Sequence, residues 1–257
     1  MNLLAVLREE KESRHKGGLY HQTQIKLAYN TNRIEGSKLT EEQTRYIYET
    51  NTIFMEEGET TANVDELIET VNHFTCFDYM LDIADEPLSE EHIKEFHRLL
   101  KTNTSDSRKP WFRIGDYKLK PNIVGGIETT PPSKVQYEIE ELLKDYRDKK
   151  TITVEDIIDF HFKFEEIHPF QDGKGRVGRL IIFKECLAHE ITPLIIEDDH
   201  KYFYYRGLSE YPKVKGYLID TCLSAQDTYN EMIKYFDIQK FYSYCCSTIN
   251  LYIFCRH

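Results

Sequence analysis

Positive charge is in short supply in this 257-residue chain: 33 Lys and Arg stand against 44 Asp and Glu, a net of −11. A dedicated nucleic-acid binder normally shows a basic face, so the deficit argues against a nucleic acid polymer as partner. It argues equally against an anionic membrane surface. Cysteine is sparse. The six residues, at 76, 186, 222, 245, 246 and 255, include no Cys-x-x-Cys pair, so neither a disulfide framework nor a thiol zinc or redox site is indicated. No run approaches the roughly 20 apolar residues of a membrane span. The start, MNLLAVLREEKESRHKGG, has only a short apolar patch before its charges and does not read as a signal peptide. The expected compartment is therefore the reducing cytoplasm. Repeats, low-complexity tracts and long linkers are missing as well.

What is present is enough to fold. Hydrophobic residues make up 40% and aromatics 13% of the chain, which argues against disorder. The length suits one large domain, or a domain with a small extension. Apolar spacing reads helical nearly throughout, so the fold is expected to be mostly α. Thr40 with Gln43 forms a capping-box pattern ahead of Ile47. Asn63 with Glu66 precedes a stripe of Val64, Leu67, Ile68, Val71 and Phe74. Ser89 precedes Ile93, Phe96, His97 and Leu100, and Ser133 with Gln136 is read as the start of a helix carrying Val135, Ile139, Leu142, Leu143 and Tyr146. Val214, Tyr217, Leu218, Thr221, Ala225, Tyr229, Met232 and Phe236 trace a long amphipathic helix. The stretch Phe241–Cys255 carries no charge and is read as a terminal element packed on the core or on a partner, with a membrane or oligomer contact as the alternative.

Two segments break the helical rule. Trp111 to Pro132 is rich in β-prone residues and carries Gly125-Gly126 before Pro131-Pro132, which predicts a two-stranded hairpin ended by the prolines. Phe160 to Phe164 alternates like a strand, yet Ile157, Phe160, Phe164 and Ile167 also fit a helical face. Helix is favoured because of the run directly after this segment.

That run is His168-Pro169-Phe170-Gln171-Asp172-Gly173-Lys174-Gly175-Arg176-Val177-Gly178-Arg179. Gly173 and Gly175 lie just before a stripe of Val177, Leu180, Ile181, Leu187 and Ala188. Glycines let backbone N–H groups crowd together, and a helix N-terminus adds partial positive charge, so this turn suits a phosphate. Arg176 and Arg179 are three apart and share a helix face, where they can grip further phosphates. Asp172 is a hard oxygen ligand suited to Mg²⁺ (or Mn²⁺). His168 titrates near neutrality when unperturbed and can accept a proton from an attacking hydroxyl. Together these form a kit for phosphoryl or nucleotidyl transfer. Each residue also has a plainer role open to it. His168 and Asp172 can cap helix ends, the arginines can be solvated surface charges, and Glu35-Gly36 is ordinary C-terminal capping chemistry.

The run resembles the signature of the Fic-domain family, His-Pro-Phe-x-Asp/Glu-Gly-Asn-Gly-Arg-x-x-Arg. Eight specified residues match: His168, Pro169, Phe170, Asp172, Gly173, Gly175, Arg176 and Arg179. At about one in twenty per position, chance agreement somewhere in the chain is on the order of one in a hundred million. Lys174 stands where the family usually has Asn; an ammonium meets phosphate as a point charge and lacks an amide's paired donor and acceptor. The resemblance implies a Fic helical bundle with a short β-hairpin flap. It divides the chain into an N-terminal segment with an inhibitory helix (1–60), a Fic core (61–215), and a C-terminal helix with the uncharged tail (216–257). Gly115, Ile123, Val124, Gly125 and Gly126 would belong to the flap that docks a target segment as an added strand. Tyr204 and Tyr205 would lie near the nucleotide base, with a place in the core as the equal alternative. Upstream, Thr31-Asn32-Arg33-Ile34-Glu35-Gly36 matches the family's inhibitory pattern, in which the Glu pairs with the second motif Arg, here Arg179.

The resemblance further implies a protein adenylyltransferase, moving AMP from ATP to a Ser, Thr or Tyr hydroxyl of a target protein or of the chain itself. ATP is then substrate and Mg²⁺ its companion. His168 is the expected catalytic base, Asp172 the metal ligand, and Gly173, Lys174, Gly175, Arg176 and Arg179 the phosphate-binding set. Transfer of another phosphate-containing group, removal of AMP by the same residues, and a non-catalytic helical module are the alternatives. A homodimer is allowed for.

Overall fold

The computed structural model describes residues 2–55, 58, 61–124, 126–236 and 238. Among them the chain forms ten α-helices and one short two-stranded sheet. The mostly α expectation holds. The uncharged stretch Phe241–Cys255 lies outside the described residues, as do Gly125 and the cysteines at 245, 246 and 255.

Local chemistry explains most of the helix starts. Helix α1 (Leu3–Ser13) is followed by α2 (Leu19–Ile34). The predicted capping box opens α3 (Glu41–Thr50): Gln43 N–H donates to Thr40 Oγ1 at 3.1 Å, and Thr40 N–H donates to Gln43 Oε1 at 3.0 Å. Asn63 caps α4 (Val64–Asp82) and Ser89 caps α5 (Glu90–Lys101) through their side chains. The strands β1 (Ile123–Val124) and β2 (Ile127–Glu128) pair antiparallel, with Val124 opposite Ile127. Helix α6 (Pro132–Arg147) starts one residue earlier than the Ser133 reading, with Pro132 in its first turn and no side-chain cap. Proline suits that position because it has no N–H to leave unpaired.

The ambiguous Phe160 segment is helical, inside α7 (Val154–Ile167). Its capping box, Thr153 with Asp156, was not read from the sequence. After α7 come α8 (Lys174–Ala188), α9 (Lys201–Glu210) and α10 (Gly216–Tyr235). The face expected for α4 is corrected: Val64 and Val71 are exposed, and the buried side is Thr70, His73, Phe74, Cys76, Phe77, Met80 and Leu81. The stripe chosen for α10 also shifts, to Leu218, Cys222, Ala225, Tyr229 and Ile233.

One buried cluster runs from Leu3 and Leu7 of α1 through Phe77, Phe96, Phe164 and Phe183 to Tyr229 and Ile233 of α10. At its centre is α8, in which every residue from Gly175 to Leu187 is buried. A helix surrounded on all sides needs no single apolar stripe, so the Val177–Leu187 pattern captured only part of its buried surface. Helices α2, α4, α5 and α7 all contact α8. That placement puts the N-terminus of α8, and the two arginines of its first turns, at the meeting point of four helices. Among the described residues no helix is long and apolar enough to cross a membrane. Cys76, Cys186 and Cys222 are free and buried.

Candidate functional site

The loop from Pro169 to Gly173 joins two helix ends. His168 closes α7 in the left-handed conformation, φ 52°, its N–H donating to Phe164 O at 3.2 Å. Glycine usually takes this position, because a side chain there is strained. Gly173 is also left-handed, at φ 82°, and a Cβ on it would come within 3.3 Å of Leu100. Phe170 anchors the loop: it is fully buried and stacks on His97 at 4.0 Å between ring centres and 7° between planes. The first N–H groups of α8 have no partner within the helix, so the loop ends in the predicted anion cradle.

His168 is 8% exposed and its Nδ1 has no hydrogen-bond partner. Burial, then the charges of Lys174 and Lys118, push its proton affinity down to about 3. The imidazole is therefore neutral at physiological pH, the state in which it can take a proton.

Asp172 faces solvent with about half of its side chain. Burial of the carboxyl works to raise its proton affinity, but Arg176 and Lys101 outweigh that and hold it well below the usual carboxylate range. Its Oδ2 lies 2.8 Å from Lys101 Nζ and 3.1 Å from Arg176 Nη2. Lys101, 2% exposed, also meets Glu69 at 2.5 Å and Asp106 at 2.8 Å. Arg176 Nη1 reaches Glu69 at 2.5 Å, so Glu69, Lys101, Asp172 and Arg176 close a ring of charge. The expectation for Arg176 gains a correction: it is not a free clamp but is held by Glu69 and Asp172. The half-exposed side of Asp172, whose Oδ2 is held by Lys101 and Arg176, fits Mg²⁺, which is usually bound by one or two carboxylates with substrate phosphates and water. The carboxylate is ionised and stands beside the cradle. The only three-ligand cluster among the described residues is elsewhere, at Glu197, Asp199 and His200.

Arg179 is buried, and its Nη2 lies 2.6 Å from Glu35 Oε1 and 3.2 Å from Thr31 O, with Nε 3.3 Å from Thr31 Oγ1. Glu35 is the C-cap of α2, followed by Gly36 at φ 99°. Thus the capping role and the pairing with Arg179 coexist in one residue. A Cβ on Gly175 would run into Glu35 Oε1; the carboxylate lies directly against the first turn of α8, where an anion is favoured.

Lys174 does not project freely over the cradle. Its ammonium pairs with Glu165, a buried carboxylate on α7. Burial would raise the proton affinity of Glu165, yet Lys174 and then His161 bring it down to about 2. The tyrosine pair divides. Tyr204 is 1% exposed, with its hydroxyl 2.7 Å from His161 Nε2 and 3.4 Å from Arg179 Nη1. It is a core residue packed against Arg179. Tyr205 is 45% exposed and donates to Ile34 O at 2.8 Å.

Of the hairpin residues, Gly115 packs on α5: its N–H donates to His97 Nδ1 at 3.0 Å, and a Cβ there would lie 2.9 Å from Arg98. Ile123 is 67% exposed in β1, Val124 pairs within the sheet, and Gly126 turns the hairpin at φ 82°. Residues 118–122 run beside the loop. Lys118 N–H donates to Pro169 O at 2.9 Å, Gln171 Nε2 donates to Asn122 Oδ1 at 3.0 Å, and Asn122 Nδ2 donates to the Gln171 backbone carbonyl at 3.3 Å.

Residues 87–185 match the model of the Fic/DOC family, a span holding His168, the cradle and both arginines. Over that span the chain is similar to the Fic/DOC family. The protein adenylyltransferase fic-1 of Caenorhabditis elegans is 24% identical over 196 residues, covering 74% of this chain and 37% of that protein. The protein adenylyltransferase Fic of Nematostella vectensis is 26% identical over 201 residues, covering 74% and 44%. This chain therefore spans less than half the length of these curated relatives. A Fic-domain-containing signaling protein from Bacteroides thetaiotaomicron superposes with a TM-score of 0.71 at 19% identity, covering 90% of this chain and 94% of that one. The bundle is thus a Fic fold.

The helical bundle also fully buries three histidines besides His168. Burial pushes His73 and His97 down to about 3 and His161 to about 4. Unfolded, each would titrate near 6.5. A depressed value means the unfolded chain binds protons that the fold refuses. The stabilisation is complete above about pH 6.5 and is lost as pH falls toward 3 or 4, by up to about 1.4 kcal/mol per histidine per pH unit. Urea midpoints are expected to drop clearly between about pH 7 and about pH 5, before ordinary carboxylates titrate. Equal midpoints would show that these rings are protonated in the fold.

Proposed function

We propose that this Fic domain transfers AMP from ATP to a Ser, Thr or Tyr hydroxyl of a protein, and that Glu35 restrains it. What supports this most directly is a neutral His168 at one end of a five-residue loop whose other end is the N-terminus of α8. In the reaction, the hydroxyl gives its proton to the imidazole and its oxygen attacks the α-phosphorus. The bond to the β-phosphate oxygen breaks, pyrophosphate leaves with that electron pair, and AMP stays on the target as a phosphodiester. The cradle N–H groups of Gly173, Lys174 and Gly175 and the two arginines face the phosphates. Asp172 would hold Mg²⁺, which would neutralise phosphate charge.

Both arginines are occupied by the protein's own carboxylates, Arg179 by Glu35 and Arg176 by Glu69 and Asp172. A nucleotide competes with these for the guanidinium groups, and Glu35 is the most exposed of the contacts to Arg179. The exposed Ile123 edge supports strand addition by the target, because backbone pairing needs an open strand. The three described cysteines are buried thiols, which fits a reducing, cytoplasmic setting. Incubation with ATP and Mg²⁺ followed by mass spectrometry of the protein and of lysate targets tests the reaction. A mass increase of one AMP is expected. An increase of phosphate or UMP alone would reject AMP as the group transferred.

A further inference from the structure

Lysine is almost never fully buried unless it is paired with an acid. Lys118 departs from this. It lies on the approach to the hairpin, is 3% exposed, and its Nζ meets the Thr129 hydroxyl at 2.6 Å and the Ile167 carbonyl at 3.5 Å. Both partners are neutral, and among the described residues no carboxylate pairs with it. Its own N–H donates to Pro169 O. One residue thus bonds to the carbonyl before His168 and to the carbonyl after it, while its ammonium is tied to Thr129 at the far end of the hairpin. The Ile167 carbonyl ends α7, where the helix dipole favours a cation.

The charges acting on His168 are Lys174 and Lys118, which oppose its protonation, and Glu165 and Asp172, which favour it. Each of these except Lys118 has a partner of opposite sign: Lys174 is answered by Glu165, and Asp172 by Lys101 and Arg176. Around Lys118 itself the charged neighbour is Lys174.

We propose that Lys118 is a positioning residue for His168, joining the hairpin to both carbonyls that flank the imidazole and holding an uncompensated ammonium beside the loop. The proposal rests on His168 being the proton acceptor. It couples two things that otherwise vary separately, the place of the hairpin and the strength of the base. A hairpin displaced from the loop takes the ammonium with it. Burial and Lys174 bring Lys118 itself down to about 8, so the charge is present at neutral pH and fades under mildly alkaline conditions.

The test is a pH titration of the His168 ring by NMR in the full chain labelled at histidine, with His168→Gly identifying the signal. In Lys118→Met the midpoint should rise by about one unit, since a like charge has been taken from the ring. Lys118→Gln keeps a donor for Thr129 and Ile167, guards against loss of folding in the Met variant, and should show the same rise. Lys118→Arg should titrate like the parent. In a Glu35→Gly background, the acid limb of AMP transfer should move up with the ring. An unmoved midpoint in a folded Met or Gln variant would overturn the proposal, as would an Arg variant that shifts as far as Met. Retained transfer in His168→Gly would instead overturn the base assignment, a separate outcome.

Discussion

Replacing Glu35 with glycine is expected to raise AMP transfer, self-labelling included, by about a hundredfold. The carboxylate does two things at once. It holds Arg179 Nη2 at 2.6 Å, and it lies against Gly175 in the first turn of α8, where incoming phosphate would be received. A nucleotide that enters without displacing it lacks one guanidinium partner and sits out of line for attack, and a misplacement of about 1 Å costs roughly a hundredfold in rate. Charge points the same way. Lys101, Lys118, Lys174, Arg176 and Arg179 are five cations, against five carboxylates at Glu35, Glu69, Asp106, Glu165 and Asp172. The site is therefore neutral, and losing Glu35 leaves it one charge positive for a polyanionic substrate. The same change removes a partner from a buried guanidinium, which is destabilising, although Thr31 and Tyr204 still contact Arg179. Glu35→Gly should accordingly melt lower than the parent and gain more from Mg-ATP. Initial rates with labelled ATP decide the matter; equal rates in parent and variant would remove Glu35 from any inhibitory role.

The sequence revealed the loop but not what surrounds it. His168, the cradle and the arginines fall within twelve consecutive residues, so local pattern was enough. Their partners are remote: Lys101 reaches Asp172 across 71 positions and Arg176 reaches Glu69 across 107. Glu69 looks like any exposed acid of α4, and its importance appears only when α4 packs on α8. Glu165 was more accessible, being nine residues from Lys174, but an acid in a helix of mixed polarity gives no sign of burial. Tyr204 and Tyr205 separate because two adjacent residues of a helix point about 100° apart; one enters the core while the other meets solvent. The α4 face was misread for a related reason. Its first turn extends beyond the core, so Val64 is exposed while the polar Thr70 and His73 are buried. Helix starts set by side-chain caps were legible at Thr40 and Ser89. The α6 start was not, because proline rather than a hydrogen-bonding cap begins it.

Replacing His168 should cost AMP transfer about 10²- to 10⁴-fold, the usual contribution of a positioned proton acceptor. The choice of substitute matters more here than at most catalytic positions. At φ 52°, His168 occupies left-handed backbone that a side chain adopts only at a cost, of roughly 1–2 kcal/mol. Alanine would remove the base and keep that strain, so a loss of transfer could be blamed on a loosened loop. Glycine removes the base and the strain together, at the expense of roughly 0.5–1 kcal/mol of added unfolded-chain freedom. The Gly variant is thus expected to fold about as well as the parent, with Phe170 still stacked on His97 and the Pro169 carbonyl still taken by Lys118. Assayed in a Glu35→Gly background, where transfer is easiest to see, it should bind Mg-ATP with near-parental affinity and transfer almost nothing. Binding without transfer separates proton abstraction from nucleotide recognition. Transfer at the parental rate from a folded Gly variant would mean that the hydroxyl proton leaves by another route, with water as its first acceptor.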